Sequence, residues 1–384
     1  MKIVYCTNSL SKKGGTEHIT IAKASRLAQI PGNSVWIAVS DSLEPSFPVD
    51  ERVILLNLGI NYYEGTSGDG RFLQFLKLLY KQRVHKRKLK RLMEKISPDV
   101  VLSTGGLEKL FLPYVCSSSQ VLIREIHTAS DSRMFYARTP YERITARLGD
   151  LLDYRIFIKK YDCIVLLTEE DKNRCWKDNP KAFVIPNFYS PNHFNLSPLN
   201  QKRVVSVGKL SMGKNFAALI RSWKIVHDRH PDWALMILGD GEEKTRLQDL
   251  IANLNLNDSI SLIGCVDDVG PYLEHSSIFA FSSLSEGLSL VIIEAMASGL
   301  PVVSYDCPCG PKDIITEGEN GFLVPVGNET LLANRICYLI ENDDDRKRMG
   351  ELASKNAERF SIDIIMERWL ALFDDLLSKK PQNR

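Results

Sequence analysis

Glu286 and Glu294 bracket Gly287-Leu288-Ser289-Leu290-Val291-Ile292-Ile293, and the run Ala295-Met296-Ala297-Ser298-Gly299-Leu300-Pro301-Val302-Val303 follows. The first glutamate falls in a turn and the second inside a helix, so both can reach one bound ligand. Carboxylates accept paired hydrogen bonds from neighbouring hydroxyls, which suits a hexose and a ribose. Gly287, Leu288, Ser289 and Leu290 present backbone N–H groups at a helix N-terminus, a place for a diphosphate. The plain alternative for Glu294 is a surface helix position, but apolar residues flank it on both sides.

Other candidates lie elsewhere in the chain. Lys209 follows Gly208 and an apolar run at 204–207, and Lys214 comes five residues later. Two cations at the carboxyl end of a strand can neutralise a diphosphate leaving group, although such a pair can also be solvated. His127 closes Arg124-Glu125-Ile126-His127, just beyond a strand-like run at 121–123. Open α/β sheets bind ligands at such strand ends. Gly14-Gly15 separates the first strand from the first helix. The pair either lets backbone N–H groups approach an anion or makes a simple turn, with Thr16 as the helix cap. Lys81, Arg83, Lys86, Arg87, Lys88, Lys90 and Arg91 crowd into residues 81–91, beside a modest stripe of Val84, Leu89, Leu92 and Met93. This is either a solvated face or a contact for anionic lipid or an acidic acceptor. No aromatic interleaving supports nucleic acid as a partner.

The elements that must position these residues alternate. Strand-like runs at 3–5, 35–39, 53–56, 100–102, 121–123 and 163–167 are short, rich in Val, Ile and Leu, and separated by helical or polar segments. A last run at 184–185 leads into a Ser-, Pro- and Asn-rich stretch, and then the alternation restarts at 204. Continuous apolar strands alternating with helices imply parallel sheets buried on both faces. Residues 1–188 are expected as one doubly wound domain, 189–202 as a linker and 203–360 as a second domain. The amphipathic stretch 361–384 is expected to cross back to the first.

Length and composition agree with this. At 384 residues the chain exceeds one core. Residues 1–200 hold 29 Lys/Arg and 20 Asp/Glu, so the first half carries +9 and the rest −7, for a net +2. That asymmetry points the first half toward something anionic. The eight cysteines form no CxxC, and Cys307-Pro308-Cys309 is too tight for a zinc knuckle, so reduced thiols and no metal are expected. No long apolar run predicts a membrane span, and the N-terminus lacks the pattern of a signal peptide, so a cytoplasmic protein is expected.

Gly208-Lys209-Leu210, Lys214-Asn215, Leu238-Gly239-Asp240-Gly241, Gly264, the Glu286 to Val303 run, Gly310-Pro311 and Asn320-Gly321 together resemble glycosyltransferase family 4, group 1. The likeness is dense over 200–330 and thinner over 1–190, where it rests on Gly14-Gly15-Thr16-Glu17 and His127. It implies the GT-B fold, with two Rossmann-like domains facing a cleft, and a retaining transfer from a UDP-sugar. By resemblance, Lys209 and Lys214 face the donor diphosphate, and Lys209 stands where arginine is commoner. Glu286 contacts the transferred sugar, Glu294 the ribose, and Gly264 and Val266 the base, while His127 lies near the reacting sugar. The fold needs no DxD motif or metal cofactor, and Asp343-Asp344-Asp345 is expected as a solvated turn. Asp306-Cys307-Pro308-Cys309-Gly310-Pro311 resembles members that use UDP-galactose, UDP-N-acetylhexosamine or similar donors for bacterial surface glycans. The expected acceptor is a glycan or lipid-linked glycan at the inner membrane face, with peripheral membrane association. The rival readings are a nucleotide-sugar epimerase or phosphorylase on the same scaffold, an inactive partner subunit, and a nicotinamide dehydrogenase. The missing GxGxxG disfavours the last.

Overall fold

The computed structural model describes residues 1–11, 14–62, 64, 70–190 and 194–381. The apolar runs become strands of two all-parallel sheets. One sheet contains β1 (Lys2–Thr7), β2 (Ser34–Val39), β3 (Val53–Asn57), β4 (Val100–Ser103), β5 (Val121–Glu125), β6 (Cys163–Leu166) and β7 (Ala182–Val184), in the order β3-β2-β1-β4-β5-β6-β7. The other contains β8 (Arg203–Val207), β9 (Ala234–Leu238), β10 (Ile260–Gly264), β11 (Ile278–Phe281), β12 (Val302–Tyr305) and β13 (Gly321–Val324), in the order β10-β9-β8-β11-β12-β13. Every residue of β4, β5, β6, β11 and β12 is buried, as a parallel sheet covered on both faces requires.

The chain divides into two units. The first comprises Met1–Leu167, Cys175–Ile185 and Met366–Arg384; the second comprises Thr168–Arg174 and Pro186–Ile365. Val4, Leu89, Val101, Leu122 and Tyr161 lie in the core of the first, and Val204, Trp223, Leu235, Ile278 and Val303 in that of the second. The final helix, Ile362–Ser378, buries Trp369 and Phe373. From Met366 onward it belongs to the first unit, where Arg368 donates to the carbonyl of Val184 at 2.6 Å.

Three local expectations are corrected. The first helix starts at Gly15 with Gly14 as its N-cap, so Thr16 is inside the helix and its carbonyl accepts from Thr20. The described part of the 189–202 stretch packs as part of the second unit. Ser197 Oγ donates to the carbonyl of Ser276 at 2.5 Å, and Leu199 is buried. Asp343, Asp344 and Asp345 form the first turn of the helix Asp343–Ala357, where the helix dipole favours negative charge.

The basic stretch lies in the helix Arg71–Ile96, and part of it is structural. Lys81 Nζ donates to the carbonyls of Tyr62 and Glu64, Lys88 Nζ donates to that of Leu58, and His85 is buried against Tyr62. Arg83, Arg87 and Arg91 remain exposed, at spacings that place them on one helix face.

Candidate functional site

In the second unit, β8 and β11 are neighbours although their onward connections run to opposite sides of the sheet. The turns after two such strands diverge and open a crevice at the strands' carboxyl ends. Lys214 and Glu286 meet there, with Lys214 Nζ 2.5 Å from Glu286 Oε1. Ser283 Oγ donates to the same carboxylate oxygen at 2.5 Å. Ser282 Oγ donates to the carbonyl of Lys214 at 3.0 Å, and Leu284 N to that of Gly213 at 2.8 Å, which ties the two turns together.

A third turn, after β12, supports Glu286, whose N–H donates to the carbonyl of Pro308 at 3.2 Å. Gly310 has φ of +143°, which favours glycine, and a Cβ there would lie 3.5 Å from Cβ of Glu286. Glu170 holds this turn by accepting from the N–H of Cys309 at 2.9 Å. Asp313 in turn accepts from the N–H of Glu169 at 2.8 Å. On the β9 side Gly239 is obligatory, because a Cβ would stand 1.9 Å from the carbonyl oxygen of Gly208.

The helix Leu290–Ala297 begins at the same crevice, with Ser289 as its N-cap. Among the described residues, no acceptor meets the N–H groups of Gly287, Leu288 and Ser289. The hydroxyl of Ser289 is buried without a partner. Glu294 lies further along this helix, and its carboxylate accepts no hydrogen bond from the described residues. Burial, with the charge of Asp268 adding to it, pushes the Glu294 pKa up to about 7. Asp268 belongs to the loop that follows Gly264 and contains Val266. The carbonyl of Gly264 accepts from Gly239 N at 2.7 Å.

The structure thus gathers Gly208, Lys214, Glu286, the turn Gly287, Leu288, Ser289 and Leu290, Glu294 and the 264–268 loop around one end of one sheet. Lys209 stands apart: its side chain is 66% exposed and pairs with Glu242 at 3.0 Å.

In the first unit, Gly14 is extended at φ −116°, and a Cβ there would lie 2.5 Å from Glu17 Oε2 unless that side chain moved. His127 lies just past β5 with its side chain only 5% exposed, and its Nε2 is 3.3 Å from Glu125 Oε2. Glu125 is buried and forms an ion pair with Lys23, whose ammonium sits 3.8 Å from the centroid of the Trp369 ring. Burial pulls the Lys23 pKa down against the opposing pull of Glu125. For Glu125, burial works upward, but the Lys23 cation and His127 outweigh it and hold the carboxyl below its usual range.

Sequence reasoning passed over Lys23, Glu125, Glu170 and Ser283. Lys23 did carry a signal, a lysine on a helix face otherwise built from Ile19, Ala24 and Leu27. Glu170 and Ser283 had none, since their partners are remote or depend on the folding of a turn.

The glycosyl transferases group 1 family model matches residues 192–356. An uncharacterized glycosyltransferase of Haemophilus influenzae is 30% identical over 372 residues, covering 96% of this chain and 98% of the relative. The amylovoran biosynthesis glycosyltransferase of Erwinia amylovora is 27% identical over 387 residues, covering 96% and 98%. An Anabaena protein solved in complex with UDP superposes with a TM-score of 0.74 at 18% identity, covering 98% of this chain and 100% of that one. This last likeness identifies the shared two-sheet fold, GT-B.

Proposed function

We propose that this chain, which belongs to the glycosyl transferases of group 1, is a retaining, metal-independent glycosyltransferase. In this reading it moves a hexose or N-acetylhexosamine from a UDP-sugar to a glycan or lipid-linked acceptor in bacterial surface polysaccharide or lipopolysaccharide synthesis. One observation carries the donor assignment: unmet donors and an unmet acceptor stand in nucleotide-like sequence along one helix. The N–H groups of Gly287, Leu288 and Ser289 and the buried Ser289 hydroxyl suit a diphosphate. The partnerless carboxylate of Glu294 suits a ribose diol. The Anabaena neighbour's complex with UDP supports the nucleotide, and the Erwinia relative's name supports polysaccharide synthesis.

Chemistry on this donor breaks the bond from the anomeric carbon to phosphate oxygen, and the electron pair leaves with the diphosphate. The acceptor hydroxyl attacks the same face, and the departing phosphate oxygen takes its proton, so configuration is kept. The protein supplies orientation and charge stabilisation. Lys214 is the cation for the leaving diphosphate, and its pairing with Glu286 holds it in place until the donor arrives. Glu286 then serves the sugar hydroxyls. Lys209, exposed and paired with Glu242, is a second cation that exchanges Glu242 for phosphate. His127 is assigned to the acceptor side, its Nε2 lying 3.3 Å from Glu125.

The first unit is assigned to an anionic membrane surface through Arg83, Arg87 and Arg91. No helix among the described residues is long and apolar enough to cross a membrane, so the association proposed is peripheral.

Transfer assays with a panel of nucleotide sugars in the presence of EDTA test this reading. Product should form from a UDP-sugar only when an acceptor is added, with the donor's anomeric configuration. Loss of both UDP binding and turnover in EDTA would overturn metal independence. Donor conversion without acceptor would favour an epimerase.

A further inference from the structure

The helix Pro140–Leu151 lies on the first unit and begins with a full capping box from Thr139 and Glu142. At 3.6 residues per turn, Tyr141, Ile144, Leu148 and Leu151 fall within an arc of about 80°. The middle of that arc is opposite Ala146, the only buried residue of this helix. The apolar stripe therefore points straight away from the protein that the helix packs on: Tyr141 is 76% exposed, Ile144 66% and Leu148 55%. This reverses the usual arrangement of a surface helix, whose apolar stripe faces the core.

Charge identifies the occupant. Arg147 borders the stripe and Arg143 lies further round on the same side; both are exposed and form no ion pair among the described residues. The acidic side chains on the inner face are already occupied, with Asp150 paired to Arg133 and Asp153 to Lys109 and Arg133. An apolar stripe edged by arginines is the pattern of a helix lying in the boundary of an anionic bilayer. The stripe is about 18 Å long and roughly 10 Å wide. Its area of about 200 Å² is well short of the ~800 Å² per partner that a stable protein interface buries. The same unit carries further positive charge: Lys86 from the basic helix and Lys160 both lie over the half-exposed ring of Tyr114, at 5.3 and 3.9 Å from its centroid.

We infer that the helix Pro140–Leu151 docks the first unit on an anionic bilayer by inserting Tyr141, Ile144, Leu148 and Leu151 among the lipid head groups. This rests on the membrane reading above and adds to it, because an inserted stripe resists salt where the arginines of the basic helix do not.

The test uses the full chain with phosphatidylglycerol-containing vesicles and with phosphatidylcholine vesicles, at low and high salt. Ile144→Gln, Leu148→Gln and Leu151→Gln together should lower partition onto the anionic vesicles by at least about tenfold and abolish the salt-resistant part. Arg83→Gln, Arg87→Gln and Arg91→Gln should instead remove the salt-sensitive part. Both variants should keep wild-type melting and wild-type transfer to a soluble acceptor. In Leu148→Trp, vesicles with brominated acyl chains should quench the added fluorescence. Equal pelleting of wild type and the triple Gln helix variant would overturn the insertion and leave the basic-helix reading standing. A wild type that fails to pellet would overturn the membrane reading as well. A wild-type dimer that the helix variant converts to monomer would make this face a protein interface and overturn the inference.

Discussion

Glu286 and Glu294 share one turn-and-helix segment but face opposite electrostatic surroundings. Glu286 is paired with Lys214 and accepts a hydrogen bond from Ser283, whereas Glu294 has no partner among the described residues and a pKa near 7. If the first meets the sugar and the second the ribose, their alanine variants must differ. Glu294→Ala should weaken UDP binding by ~1.5–3 kcal/mol, roughly ten- to a hundredfold. Glu286→Ala should cut turnover far more than it weakens UDP. Calorimetric titration with UDP checks both, and equal losses would remove the assignment. The raised pKa also has a stability consequence. Between the ordinary 4.5 and about 7, the native state holds a proton on Glu294 that the unfolded chain has released. Stability from this group is therefore full below pH 4.5 and is lost as pH rises through 7. Glu294→Gln should melt above wild type at pH 8 and level with it at pH 4. Scanning calorimetry at the two pH values decides this, and an unchanged difference would mean that Glu294 is not held protonated.

At the scale of elements, two helices remote in sequence meet at one buried charge. Lys23 of the helix Gly15–Ala28 lies between Glu125 at the end of β5 and the ring of Trp369 on the final helix. Breaking a buried pair leaves a bare charge, so Lys23→Met should cost about 3–5 kcal/mol of unfolding free energy. Trp369→Ala should cost a similar ~3–5 kcal/mol through the lost aromatic packing. Because the two share one contact, the double variant should lose less than the sum. Urea denaturation of the three variants measures this; strict additivity would mean that the ring and the ammonium are not coupled. The strands and several of the helices of these units were legible in sequence, because alternation of apolar runs with helical periods is a local property. The Lys23–Glu125–Trp369 meeting was not, because it joins residues more than a hundred positions apart.

For the whole molecule, the order of the chain and the order of the units differ. The first unit is completed by Cys175–Ile185 and by Met366–Arg384, after the second unit has been traced. Stopping the chain after Ile365 should therefore expose the first unit and spare the second. Limited proteolysis should cut residues 1–167 of the truncated protein rapidly and leave a resistant fragment within 186–365. Equal resistance of both would show that the final helix is dispensable to the first unit. The charge division along the chain, +9 against −7, fits distinct tasks for the two halves, with the outward apolar helix on the basic one.

Sequence alone determined the two parallel sheets, the resemblance that led to the family, and the Glu286 to Val303 run, since strand periodicity, glycine turns and helix starts are set by residues within a few positions of one another. It also placed Lys214, Glu286 and Glu294 in a single second domain. Tertiary structure decided which of them meet. Lys214 reaches Glu286 because β8 and β11 are neighbours in space, while Lys209, five residues away, turns to Glu242. Glu170 supports the Cys309 turn through a hydrogen bond spanning 139 positions. The outward stripe of Pro140–Leu151 was equally hidden. Only packing shows that Ala146 faces inward and the apolar side faces out. A pattern in sequence specifies the faces of an element, whereas burial belongs to its neighbours, which the chain brings together only on folding.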